Sequence, residues 1–323
     1  RVEPYQLEDE RLRQAARAVG ALVRRDQLVA DDDGNLEFPI PETTYGEGYQ
    51  LCPGVRFMDQ PLAANCSGFL VTDELFVTAG HCVDDILCSE LSIAFDLAYT
   101  ADGLPDKLGA EQVYHCAEFV ENIWDGPTDF ALIKLDRPVE DREPLQVADE
   151  VEPGASAMTL GFPNRIPMKV AATTVQDSPF APGWRVARAE LLENGFYTED
   201  ELLGFEADAQ ASFGNLIAMD GDVFGGNSGG ALIDASTGAA MGVVIWGSRK
   251  YRDGEFGGKD MSFAWDDVAT CRRPTVCGDD VDCITYPAAV RLSDWSHLWQ
   301  PKPWTPKGQP VFEPTRPSAI LDR

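Results

Sequence analysis

The sequence predicts an all-β chain from Cys52 to about Ile245, preceded by a helix and followed by cysteine-rich and proline-rich extensions. Short apolar and β-branched runs recur between turn signals through this stretch, the pattern of a sandwich or barrel. The pattern doubles into two halves that meet near residue 150. Eight cysteines, an even number, point to disulfides and an oxidising compartment. They include no C-x-x-C pair, which argues against a zinc site.

Taken in order, residues 6–25 carry apolar side chains at Leu12, Ala15, Ala16, Val19, Leu22 and Val23, close to helical spacing. The acidic start and basic end of this stretch suit the helix dipole. Residues 30–50 are polar and broken by Gly and Pro, as in a linker or surface loop. Their "DDDGN" has its glycine too early for an EF-hand loop and reads as a solvated turn. The β runs follow as "GFLVT", "LFVTA", "LSIAF", "DFALIKL", "SAMTLGF", "MKVAATTV", "GALID" and "MGVVIWG". One short helix is expected within 187–204. Residues 271–283 form a cysteine-rich loop, and the six prolines of 301–323 predict an extended tail.

The chain carries 54 acidic and 26 basic residues, a net charge of −28. Phosphate binding needs cations, so nucleic acid is a poor partner. The acidity reads as a solubility adaptation, with attraction of cationic substrates as the other reading. No apolar run reaches the ~18 residues that span a bilayer. The first residue is Arg, which suggests a processed chain with any export signal outside it.

Candidate chemistry centres on residues 224–232, "FGGNSGGAL", where four glycines surround Ser228. Glycine in a folded segment costs roughly 0.5–1 kcal/mol relative to alanine. The cluster is either a tight turn between strands or a turn that aims backbone N–H groups beside a nucleophile. A serine nucleophile needs a base, and a carboxylate to hold that base in the right tautomer. Among the three histidines, His81 follows an apolar run in "FVTAGHCV", while His115 and His297 sit among aromatics and read as structural. Asp129 leads the most hydrophobic strand of the first half.

In that order, "TAGHC", "DFALIKL" and "GNSGGAL" resemble the three signature segments of the chymotrypsin/trypsin-like serine proteases. The resemblance covers roughly residues 50–270. It implies two antiparallel six-stranded β-barrels, 50–149 and 150–270, with residues 1–49 as a helical extension or propeptide and 271–323 as a C-terminal extension. It implies a secreted or periplasmic serine endopeptidase acting on proteins or peptides, with no metal or organic cofactor. His81, Asp129 and Ser228 would be the catalytic residues, and the N–H groups of Gly226 and Ser228 the oxyanion hole. Gly225, Gly229 and Gly230 would permit the turn. It further implies a Cys66–Cys82 disulfide pinning the histidine loop. Cys88 and Cys116 then form a plausible second pair. For the other four cysteines a Cys277–Cys283 loop and a tie from Cys52 to the C-terminal segment stay open.

Four positions, Asn227, Ile245, Val223 and Phe224, depart from the family's animal digestive members. Asn227 stands where they carry an aspartate that pairs with a new N-terminus, and "GNSGG" is closer to secreted bacterial members. Ile245 replaces the serine that precedes Trp-Gly, leaving Asp129 one hydrogen bond fewer. Asp222 matches the floor of the substrate pocket, with Trp246 and Gly247 as its wall, but Val223 and Phe224 do not follow the usual pattern. Asp222 points to cleavage after Arg or Lys. Glutamyl-endopeptidase specificity is the alternative, although its expected histidine is Ile245 here. A latent protease and a non-cleaving protease-fold binding protein are the remaining readings.

Overall fold

A computed structural model describes residues 1–126, 128–252, 255–257, 263–275 and 283–300. Six strands close the first barrel: β1 (Val19–Arg24), β2 (Cys66–Leu70), β3 (Leu75–Thr78), β4 (Leu91–Ala94), β5 (Val113–Asp125) and β6 (Thr128–Leu135). They run in the order β1-β2-β3-β6-β5-β4. The second barrel uses β7 (Ser156–Gly161), β8 (Lys169–Gln176), β9 (Leu216–Met219), β10 (Ala231–Asp234), β11 (Ala240–Trp246) and β12 (Ala288–Arg291), in the order β7-β8-β9-β12-β11-β10. All these pairings are antiparallel. Closure removes the free sheet edges that would otherwise template aggregation.

The expected all-β class and its two barrels are therefore present, with two differences in how the chain is divided. The spacing predicts one helix over 6–25, but helix α1 covers Glu10–Arg17 and β1 follows it. Asp9 caps α1 by accepting from Arg11 N–H at 2.9 Å, and Leu12, Ala15 and Ala16 face the core. Residues 18–23 are apolar without a break, a pattern that fits a buried strand as well as a helix. Tertiary pairing decides, because β1 bonds β2 on one side and β4 on the other. Residues 1–49 are thus not a detachable extension, since the first barrel cannot close without β1.

The second difference lies at the other end. The segment 271–323 contributes β12 to the second barrel, between β9 and β11. Beyond β12, Trp295 stacks on Phe130 of β6 with ring centroids 4.6 Å apart, tying this segment to the first barrel. The proline-rich stretch 301–323 lies outside the described residues.

The insertion between β8 and β9 holds two helices rather than the one expected, α2 (Gly183–Glu193) and α3 (Glu199–Ser212). A capping box of Thr198 and Glu201 starts α3. Cys66–Cys82 and Cys88–Cys116 are bonded, and Cys52 pairs with Cys271. A Cys277–Cys283 pair involves a residue outside those described.

The N-terminal residues dock on the second barrel. Val2 pairs with Val170 of β8, and buried Glu3 bonds buried Lys169 at 3.0 Å. Burial pushes the Lys169 amine down from 10.5 to about 8, with Glu3 partly offsetting it. Between those values the unfolded chain holds the extra proton, so Lys169 makes stability rise with pH across this window. Relative to Lys169→Met, the unfolding free energy of the parent chain should climb between pH 8 and pH 10. Equal slopes in urea titrations of the two proteins would refute it.

Candidate active site

The strand β3 leads into a one-turn 3-10 helix, Gly80–Cys82, that carries His81. No side chain fits at position 80, where a Cβ would stand 2.1 Å from the Ile123 carbonyl of β5. The Cys66–Cys82 bridge ties the other side of this turn to β2. Asp129, near the start of β6, is fully buried. Its Oδ2 accepts from His81 Nδ1–H at 2.6 Å and its Oδ1 from the His81 backbone N–H at 2.9 Å. One carboxylate therefore fixes both the ring and the backbone of His81, and leaves Nε2 as the accepting nitrogen of the neutral ring. No hydroxyl bonds Asp129 among the described residues, and Ile245 is buried beside Ala79 and Trp246.

Ser228 lies in the loop between β9 and β10. Its carbonyl accepts from Ser67 N–H at 2.8 Å. The Cys82 sulfur stands 3.6 Å from that carbonyl and 3.9 Å from His81 Nε2, so the serine and the imidazole share one neighbour. No hydrogen bond joins Ser228 Oγ to His81 among the described residues. The backbone N–H groups of Gly226 and Ser228 donate to no protein acceptor among the described residues.

Two glycines of this turn have positive φ, Gly226 at 92° and Gly229 at 84°. A Cβ on Gly226 would lie 2.3 Å from the Phe162 carbonyl, and one on Gly229 1.9 Å from the Ser67 carbonyl. At Gly230 a Cβ would meet the Leu160 carbonyl at 2.4 Å, whereas Gly225 has open space around it and no positive φ. The turn thus calls for glycine at 226, 229 and 230. Gly229→Ala should cost about 3 kcal/mol or more, through both overlap and backbone strain. An unchanged urea midpoint would contradict this.

Trp246 ends β11 and packs edge-on against Phe213 with ring centroids 6.2 Å apart. Gly247 follows, close enough to the 222–224 segment that a Cβ would stand 2.9 Å from the Val223 carbonyl. Asp222 Oδ2 is 3.7 Å from the Arg1 guanidinium, which also lies 4.1 Å above the Phe224 ring. Arg1 and Asp222 line a cavity of about 590 Å³ together with Tyr45, Phe57 and Arg273, and Trp246 and Gly247 are not among its lining residues. The other histidines stand apart from this site. Nδ1 of His115 contacts the Ser92 hydroxyl at 2.8 Å, and Nδ1 of His297 contacts the Asp294 carbonyl at 3.0 Å.

A family model described as Trypsin matches residues 54–259. The chain belongs to the trypsin family. Among the relatives of this trypsin-family chain, serine proteinase stubble of Drosophila melanogaster is 35% identical over 81 residues, 23% of this chain and 10% of that protein. The match thus spans a tenth of that relative's length. Trypsin of Sarcophaga bullata is 23% identical over 227 residues, 68% of this chain and 82% of the relative. Among solved structures, the serine endoprotease from Yersinia pestis shares 14% identity, with 88% of this chain and 62% of that chain covered and a TM-score of 0.44.

Three features of the site lie outside the motifs that mark it in the sequence. Trp124 is half exposed, and its ring centroid is 6.3 Å from that of His81. It faces Asp129 across the β5–β6 hairpin, a register that the spacing of "WDGPTD" allows to be counted back. Ser67 and the Phe162–Arg165 loop reach the serine turn only through long-range contacts.

Proposed function

We propose that this trypsin-family chain is a secreted serine endopeptidase. The observation that carries the reading is the buried Asp129 carboxylate, which grips His81 at two points and leaves Nε2 as the accepting nitrogen. Ser228 Oγ attacks the peptide carbonyl while His81 takes its proton, and Asp129 stabilises the imidazolium that forms. The N–H groups of Gly226 and Ser228, which have no protein acceptor among the described residues, receive the developing oxyanion. His81 then protonates the leaving amine, and water attacks the acyl-enzyme to restore Ser228. No step calls for a metal or an organic cofactor.

Protein or peptide substrates follow from the family. An extracytoplasmic location fits the bridges at Cys52–Cys271, Cys66–Cys82 and Cys88–Cys116. No helix among the described residues is long and apolar enough to cross a membrane. The "GNSGG" spelling, with Asn227 before the serine, supports kinship with secreted bacterial members.

Asp222 is the proposed recognition carboxylate for Arg or Lys at the cleavage site. It already neighbours one guanidinium, that of Arg1, so a basic substrate has to share or displace this pairing. The test is labelling with a fluorophosphonate probe, mapping of the adduct by mass spectrometry, and cleavage of matched Arg, Lys, Glu and Leu peptides. An adduct on Ser228 with Arg or Lys cleaved fastest is expected. Asp222→Asn should then shrink the basic preference about tenfold or more. No adduct on a folded chain would overturn the reading, and a Glu or Leu preference would overturn the role of Asp222.

A further inference from the structure

The Gly225–Gly229 turn is held by bonds to four of its carbonyls and two of its N–H groups. The Gly225 carbonyl accepts from Asn164 N–H at 2.6 Å, and the Asn227 carbonyl from Gly230 N–H at 2.8 Å. Ser67 takes the carbonyls of Gly226 and Ser228. Its hydroxyl donates to Gly226 at 2.6 Å, and its backbone N–H donates to Ser228 at 2.8 Å. The N–H groups of Asn227 and Gly229 go to the carbonyls of Phe224 at 3.0 Å and Val244 at 2.7 Å. Among the described residues the N–H groups of Gly225, Gly226 and Ser228 have no protein acceptor, and Gly226 and Ser228 are the two that flank Asn227 beside the serine.

Each peptide is planar and trans, so tying its carbonyl on one side aims its N–H to the other. Asn164 sets the plane that carries the Gly226 N–H, and Gly230 sets the plane that carries the Ser228 N–H. The 226–227 plane lies between them and fixes their mutual angle. That plane pivots on Gly226, which has no side chain to limit it. Among the described residues, its carbonyl is held by the Ser67 hydroxyl, the one side chain in the set of carbonyl partners.

The same hydroxyl accepts from Phe162 N–H at 3.0 Å, and Ser67 is fully buried. The loop it reaches bears Asn164 and Arg165 at φ 51° and 70°. Left-handed residues other than glycine persist where their surroundings hold them there. Asn164 is held by its own side chain, whose Nδ2 donates to the Tyr45 hydroxyl at 2.7 Å.

We propose that Ser67 is a positioning residue, whose hydroxyl locks the turn so that the N–H groups of Gly226 and Ser228 converge on one oxyanion. The assignment rests on the serine-peptidase reading. Ser67 touches no substrate, and acts through the Gly226 peptide. Its loss leaves His81, Asp129 and Ser228 in place and loosens only the groups that meet the transition state.

The test compares the parent chain with Ser67→Ala, Ser67→Gly and Ser67→Thr. Rates are normalised to active sites titrated with the fluorophosphonate, so that only folded, competent molecules count. For Ser67→Ala and Ser67→Gly, kcat should fall about 10- to 100-fold with KM within about twofold, the scale of a small misplacement. Affinity for a peptide boronic acid should fall by the same factor as kcat/KM, and Ser67→Thr should restore most of the loss. A kcat within twofold of the parent in Ser67→Ala and Ser67→Gly, or a loss confined to melting temperature, would overturn the role of Ser67. A parent chain that neither labels nor cleaves would instead overturn the peptidase reading.

Discussion

Ser228→Ala is expected to lower kcat by about 10⁵- to 10⁶-fold, the scale seen when the nucleophile of such a triad is removed. The substitution deletes Oγ and little else. Ser228 packs through its backbone, with its carbonyl on Ser67, and Ala keeps that contact. The N–H groups of Gly226 and Ser228 persist, so a residual rate about 10³-fold above water should survive through oxyanion binding. Fluorophosphonate labelling should vanish, while the circular dichroism spectrum and the melting temperature stay near those of the parent. Turnover within a hundredfold of the parent would mean that another residue is the nucleophile.

Asp129→Asn should cost about 10⁴-fold in kcat without disturbing the fold. The direction follows from hydrogen-bond bookkeeping at a buried side chain. Asp129 accepts twice, from the His81 backbone N–H and from Nδ1–H. An amide has one accepting oxygen and one donating nitrogen. The backbone N–H can only donate, so it claims the oxygen, and the amide NH₂ is left facing Nδ1. The ring must then accept at Nδ1 and carry its proton on Nε2, where it cannot take one from Ser228. A protein with the wrong tautomer should bind substrate normally, so KM stays close to the parent value. Fluorophosphonate inactivation should slow by a factor comparable with kcat. A loss below tenfold would show that Asp129 does not set the tautomer.

His81, Asp129 and Ser228 are legible in the sequence because each sits in a short local motif at a strand end. The turn around Ser228 is legible too, although its glycines divide unevenly, with overlap or positive φ at 226, 229 and 230 and neither at 225. Strand β1 was not legible, since an unbroken apolar run has no period to read and its strand partners begin more than forty residues later. The second inserted helix did have a local signal, Thr198 with Glu201, that the reading of one short helix passed over. Ser67 had none. A serine beside a cysteine in "NCSGF" looks like any strand residue, and its partner Gly226 is 159 positions away. Arg1 and Asp222 meet across a still longer stretch of chain. Local patterns mark the candidate reacting groups, and the residues that pack around them are found only once distant segments have met.

The proposed peptidase activity carries a hazard of self-cleavage, because this chain has long connections outside its barrels. The bond between Cys52 and Cys271 has a bearing on that hazard. It joins positions 219 residues apart, and His81, Asp129 and Ser228 all fall inside the covalent ring it closes. A single cut inside the ring, for instance after the exposed Arg185 in the insertion between β8 and β9, would open the ring without releasing either piece. The nicked chain keeps its mass, and both barrels stay tethered at the distance of one disulfide. A cut within that span would therefore change the connectivity of the chain rather than release half of it.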